Sequence, residues 1–173
     1  MRISLAVVFL VLTLSMLTAA QAQAADAEQP VVVNIKRLSL ESALAIAQAA
    51  IDECRKAGVQ VAVTVVDRGG HSQVVLRDVL AMDLTLPISY QKAYTAMSFN
   101  TPTSALQGRF KSPVSIAKVD NVLPSAGGVP VQAGGTILGG VGVSGAPSGK
   151  TDEQCARAGV EAVAADLEMA DID

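Results

Sequence analysis

Residues 59–66 constrain this chain most: they read Val-Gln-Val-Ala-Val-Thr-Val-Val and run straight into Asp67-Arg68-Gly69-Gly70. Side chains of an extended strand alternate between its two faces. Val59, Val61, Val63 and Val65 then share one face, while Ala62 and Val66 line the other. A strand that is apolar on both faces belongs in the centre of a sheet, covered from both sides. The glycine pair supplies the positive φ that a tight hairpin needs, so His71 to Arg77 is expected to return as the paired strand. A second hairpin is written the same way: Val129 to Ala133, the Gly134-Gly135 turn, and Thr136 to Val143.

Helices are expected between and around these hairpins. Ser39 can cap the first, because its hydroxyl can take an orphan backbone N–H. Leu40, Ala43, Leu44, Ala47, Ile51 and Cys54 recur at the spacing of one helical face, and Gly58 follows as a stop. Pro87 suits the first turn of a second helix, which runs to about Phe99. Thr101-Pro102-Thr103 breaks it, a short helix follows through Phe110, and Ser112 to Pro124 is irregular. Thr151-Asp152-Glu153-Gln154 has the form of a capping box that opens a last helix to about Ala170. Its expected stripe is Cys155, Ala158, Ala162, Ala165 and Met169, widened by Val163 and Leu167. Helices interleaved with hairpins give an α+β fold, with helices packed on an antiparallel sheet in a single domain.

The N-terminus carries a different signal. Arg2 precedes an uncharged apolar run from Ile3 to Leu17, and small residues follow at Ala20, Ala22 and Ala24. This is the form of a secretory signal peptide over residues 1–24, cut after Ala24. The run is short for a membrane span, which takes roughly 20 apolar residues, so no membrane insertion is expected after cleavage. The expected location is periplasmic or secreted. Residues 25–35 read as a linker or an edge strand, and residues 36–173 as the domain. With 3% aromatic residues and no Trp, its core must be filled by Val, Ala, Leu and Ile. The formal charge is −3 and no basic tract stands out, which argues against nucleic acid as a partner. Cys54 and Cys155 either form the disulfide that an oxidising compartment permits or are two small buried residues on separate helices.

Catalytic vocabulary is sparse. There is one histidine, and neither a Cys-x-x-Cys, a Gly-x-Ser-x-Gly nor a P-loop pattern occurs. No haem-attachment pattern follows either cysteine, so covalent c-type haem is excluded. His71, just after the glycine turn, is either an axial ligand or pH-sensitive contact or an exposed hairpin residue. Tyr90 and Tyr94 lie four apart and share a helical face. They are either a source of a phenolate for ferric haem, with Met97 as a soft donor nearby, or an aromatic stripe at the core edge. Gly127-Gly128-Val129-Pro130 and Gly139 to Gly145 could wall a pocket where a flat ligand meets backbone, or could serve hairpin geometry alone. Asp67 and Asp120 read as local turn acceptors rather than cation ligands.

Several segments together resemble one family. They are Leu38-Ser39-Leu40-Glu41-Ser42-Ala43, Val63-Thr64-Val65-Val66-Asp67-Arg68-Gly69-Gly70-His71, Lys92-Ala93-Tyr94-Thr95-Ala96, Pro102-Thr103-Ser104-Ala105-Leu106, Gly127-Gly128-Val129-Pro130-Val131 and Ile137 to Gly145. In this order they resemble the GlcG/HbpS-like haem-binding family, also called haem-degrading, which is similar to the C-terminal domain of PduO proteins. The match runs over about residues 36–170. The resemblance implies a profilin-like or PAS-like antiparallel sheet flanked by helices, homo-oligomers, and non-covalent haem binding with links to storage or redox sensing. The family's recurring positions fall on Lys92, Thr95, Pro102, Thr103, Gly127, Gly128, Pro130, Ser144 and Gly145. The cofactor-binding residues it suggests are Lys92, Tyr94, Thr95, His71, Thr103, Gly127, Gly128 and Pro130, with the iron ligand open between Tyr94, Thr95 and His71. No distal acid–base pair accompanies them, so turnover of haem is not implied. Two other readings stand beside haem binding. One is an accessory protein or enzyme of small hydroxy-acid or diol metabolism, with Lys92 holding a carboxylate. The other is an oligomeric structural or signalling module without a small ligand.

Overall fold

A computed structural model describes residues 30–112 and 115–170. The expected signal peptide lies outside the described residues. Residues 30–35, in the segment expected to be a linker or edge strand, carry neither helix nor strand. Residues 36–173 form one compact unit.

Helix α1 spans Leu40–Lys56, and Ser39 caps it by accepting the Ser42 N–H. Strands β1 (Ala62–Asp67) and β2 (Ser72–Arg77) make the first hairpin. Helix α2 spans Thr85–Phe99, with Pro87 in its first turn. The expected short helix to Phe110 shrinks to one 3₁₀ turn, Thr103–Leu106. Strands β3 (Gly128–Ala133) and β4 (Thr136–Ser144) form the second hairpin. Helices α3 (Gly149–Glu161) and α4 (Ala164–Met169) close the chain. The expected single last helix is thus two. Its cap is Ser148, which accepts the Thr151 N–H at 3.1 Å, so the helix opens a few residues ahead of the motif read from the sequence.

All pairings are antiparallel, in the order β2-β1-β4-β3. Strand β1 is buried along its whole length, as its apolar faces require. On one face Val63, Val65, Val129, Val131, Val141 and Val143 pack against α1, α3 and α4 through Ile46, Ala47, Ala50, Ala156 and Leu167. A Cβ added to Gly159 of α3 would fall 2.6 Å from the Ile46 carbonyl oxygen, so α1 and α3 run nearly backbone to backbone. The Cys54–Cys155 disulfide ties the same two helices across a sequence separation of 101.

The helical stripes were only partly legible. Leu40 and Leu44 are 58% and 48% exposed, and the buried side of α1 is Ala43, Ile46, Ala47, Ala50, Ile51 and Cys54. Ala162, Ala165 and Met169 face solvent, and the stripe that docks is Cys155, Gly159, Val163 and Leu167.

The second face carries α2, with Thr103 of the 3₁₀ turn beside it over Gly128. Gly128, Gly140 and Gly142 lie directly beneath the helix. A Cβ on Gly140 would sit 2.6 Å from the Ala93 carbonyl oxygen, while one on Gly142 or Gly128 would run into the backbone of Ser89 or Lys92. The occupant of the glycine-lined strands is therefore the chain's own helix and not a flat ligand. Thr64 and Ser89 join hydroxyls at 2.8 Å across this seam.

Candidate functional site

The two long sides of α2 present different chemistry. Toward β3 and α3, Lys92 is buried. Its ammonium donates to the Val143 carbonyl at 3.0 Å and to the Asp152 carboxylate at 2.8 Å. The other Asp152 oxygen accepts the Ala146 N–H at 3.0 Å. Burial pushes the Asp152 carboxyl above the usual carboxylate range, although the Lys92 ammonium and the Ala146 N–H pull the other way. Thr95, fully buried, accepts the Leu123 N–H at 2.8 Å, and Thr103, also fully buried, accepts the Gly128 N–H at 2.8 Å. Gly127 has φ +127°, and a Cβ there would lie 2.6 Å from the Lys92 ammonium. Pro130 is buried on the edge strand β3, where a missing N–H is tolerated.

Six of the eight expected cofactor residues, Lys92, Thr95, Thr103, Gly127, Gly128 and Pro130, thus gather where α2, β3 and α3 meet. Their polar side chains bond to the chain itself. Lys92 in particular spends its charge on Asp152 and is not open to a bound carboxylate.

Toward β2 the other two, His71 and Tyr94, lie at the surface. Tyr90 and Tyr94 are half-buried, their ring centroids 6.1 Å apart. The Tyr90 hydroxyl donates to the Gly70 carbonyl at 3.3 Å. Gly70 has φ +82°, and a Cβ on it would lie 2.7 Å from the Tyr94 ring. The turn and the ring both demand glycine there. Val75 pairs with Thr64, which faces α2, yet is 48% exposed. Helix α2 covers β4, β1 and β3 and hardly touches β2, so this strip of the sheet stays open. The His71 side chain stands at its end, 77% exposed, with Nδ1 at 3.4 Å from Asp67.

Asp67 fixes the hairpin tip by accepting the N–H groups of Gly69 at 2.7 Å and His71 at 3.1 Å, and by pairing with Arg37 at 3.0 Å. Burial works against its charge, but these N–H groups and Arg37 outweigh it and hold the carboxyl below the usual range. Among the described residues no group of three His, Cys, Asp or Glu could hold a metal ion.

Residues 38–161 match the family model described as haem degrading protein HbpS-like. The chain belongs to this family. A double mutant of HbpS from Streptomyces reticuli superposes with a TM-score of 0.73 at 40% identity, covering 79% of this chain and 93% of that one. The PduOC:haem complex superposes at 0.65 with 26% identity, over 73% and 94%. An uncharacterised 15.0 kDa protein from the dhaT-dhaS intergenic region of Citrobacter freundii is 30% identical over 117 residues, 65% of this chain and 82% of that protein. The antiparallel sheet with flanking helices is the HbpS-like fold that the resemblance implied.

Sequence reasoning passed over several residues that organise this HbpS-like chain. The capping pattern marks Asp152 only as a first-turn residue, yet it is the partner of Lys92, 60 positions away. Glu153 accepts from the Ser104 N–H and hydroxyl and from Arg157. Neither carboxylate is marked locally, because an acidic first turn is ordinary helix chemistry.

Proposed function

We propose that the mature protein is an exported, non-covalent haem-binding protein that serves in haem storage or redox sensing. The observation that carries this is the 40% identity to HbpS across nearly the whole of that chain, with the haem-complexed PduOC as a second relative. Export is supported by the leader at residues 1–24 and by the disulfide, which suits an oxidising compartment. Both cysteines are spent on that bond, which leaves non-covalent contacts to hold a haem.

The open strip beside α2 fits such a guest. Val75, Tyr90 and Tyr94 offer apolar and aromatic surface, and His71 and Tyr94 are among the reachable side chains of the kinds that hold haem iron. A bound haem would supply redox-active iron, and these residues would hold and orient it. We also read the protein as a homo-oligomer, since Val79, Leu80, Met82 and Leu84 follow β2 as a run of exposed apolar side chains.

Titration of the purified mature protein with hemin tests the reading. A shifted Soret band saturating near one haem per chain is expected. A titration no different from that of an unrelated acidic protein would remove it. Sedimentation as a monomer at micromolar concentration would remove the oligomer.

A further inference from the structure

A second site shares no residue with the strip beside His71 and lies between the Thr103–Leu106 turn and α3. It is a cavity of about 470 Å³, within the range of small-molecule pockets. Its floor is Ala126 and Gly149. Lys150, Glu153, Gln154 and Arg157 line one wall, at the i, i+3, i+4, i+7 spacing of one helical face, and Ser104 and Gln107 face them.

The joint between the two walls is fixed before any ligand arrives. Glu153 is nearly buried and accepts the Ser104 N–H at 3.1 Å, the Ser104 hydroxyl at 2.8 Å and an Arg157 N–H at 2.8 Å. One carboxylate thereby staples the 3₁₀ turn to α3. Burial opposes its charge, but Arg157 and Ser104 keep it ionised by holding it below the usual range. A Cβ on Gly149 would fall 2.7 Å from the Ala126 carbonyl oxygen, so the floor is tight as well.

The charges then decide the ligand. Glu153 offsets Arg157, and Lys150 is left as one exposed ammonium at the mouth. A guanidinium has five N–H donors, and Arg157 spends one of them on Glu153 among the bonds within the chain. Net charge in the cavity is about +1, in a chain whose formal charge is −3. The primary amides of Gln107 and Gln154 add donors and acceptors for hydroxyl groups. A phosphate dianion would bring two negative charges beside the Glu153 carboxylate against a net charge of about +1, and a bare apolar molecule would make no use of the exposed amides and cations.

We propose that this cavity binds a polyhydroxy monocarboxylic acid, its carboxylate on Lys150 and Arg157 and its hydroxyls on Gln107 and Gln154. The site is separate from the strip assigned to haem and does not depend on that reading.

Calorimetric titration of the full mature protein tests it, with gluconate as the probe and acetate and inorganic phosphate as controls. Saturable gluconate binding is expected, at least tenfold tighter than acetate and phosphate. Lys150→Glu should weaken it at least tenfold, and Gln154→Leu should reduce the preference over acetate. Lys150 is exposed and unpaired among the described residues' ion pairs, so the variant folds, as unchanged thermal unfolding will show. No saturable binding, equal binding of acetate, tighter binding of phosphate, or gluconate binding untouched by Lys150→Glu would each overturn the proposal. Gluconate displaced by hemin would also overturn it, because the carboxylate recognised would then be a haem propionate.

Discussion

The two sides of α2 are built from neighbouring residues and have opposite surroundings. Lys92 and Thr95 point into the junction with β3 and α3, where every bond they make returns to the chain. Tyr90 and Tyr94 point over β2, where the helix stops short and leaves sheet uncovered. The difference follows from the glycines. Gly128, Gly140 and Gly142 let α2 sink onto β3 and β4, while β2 carries Val75 and remains beside it. Residues that the family resemblance singles out can therefore be the ones that hold the fold, and the residues free to meet a ligand can be less marked ones on the other side.

The interior side should respond most in stability. Asp152→Leu takes the buried acceptor away from both the Lys92 ammonium and the Ala146 N–H, a loss of about 3–5 kcal/mol. Replacing both, as Lys92→Met with Asp152→Leu, should recover much of that, because a buried pair is often no better than a packed apolar pair. Denaturant unfolding of the two single variants and the double gives the cycle. Additive losses would mean that the pair is not a unit.

Next comes the disulfide, which closes a loop of about 100 residues between the helices of the other face. Cys54→Ala with Cys155→Ala should cost about 2–5 kcal/mol. Its loss should leave hemin and gluconate titrations unchanged in the folded protein, since neither site touches it.

The outer side should respond in the opposite way. His71→Ala with Tyr94→Phe should keep stability within about 0.5 kcal/mol, as expected for surface changes, yet alter the Soret position or weaken hemin binding. A wild-type spectrum in this double variant would move the iron ligand off these two residues.

Acid separates the carboxylates by sign. Asp67 and Glu153 are held below their usual values. Their contribution is complete above the ordinary carboxylate pKa near 4 and disappears as the pH falls through their lower folded values. Asp152 is pushed up, so the folded state takes its proton first, and lowering the pH through that raised value relieves a cost instead of adding one. The stability gap between wild type and Glu153→Gln should therefore close with acid. A gap that stays constant from pH 7 to pH 3 would mean that Glu153 is not held ionised by Ser104 and Arg157.

Much of the fold could be read from the residues because its signals are local. Alternation over residues 59–66, two glycine-pair turns and the Ser39 cap each act over a few positions; the turns and the cap appear where expected, while the strand starts at Ala62 instead of Val59. What could not be read is set by contacts distant in sequence. The choice between Leu44 and Ile46 on α1 depends on which direction the sheet lies, and both residues are apolar. Gly159 escaped the stripe of α3 because its value is the absence of a side chain against Ile46. The glycines of β4 announced a close approach correctly but gave no sign of whether a ligand or α2 would make it. Lys92 looked like a carboxylate receptor because its carboxylate, Asp152, sits 60 residues further along.

The most direct test of the account maps where a porphyrin lands. Amide NMR spectra of the protein titrated with zinc protoporphyrin, which is diamagnetic, should show shifts concentrated at Gly70 to Val75 and at Tyr90 and Tyr94, with Thr103, Gly127 and Gly128 unmoved. Shifts centred on Thr103, Gly127 and Gly128 instead would contradict it, because the junction of α2, β3 and α3 would then be the binding surface and not the frame behind it.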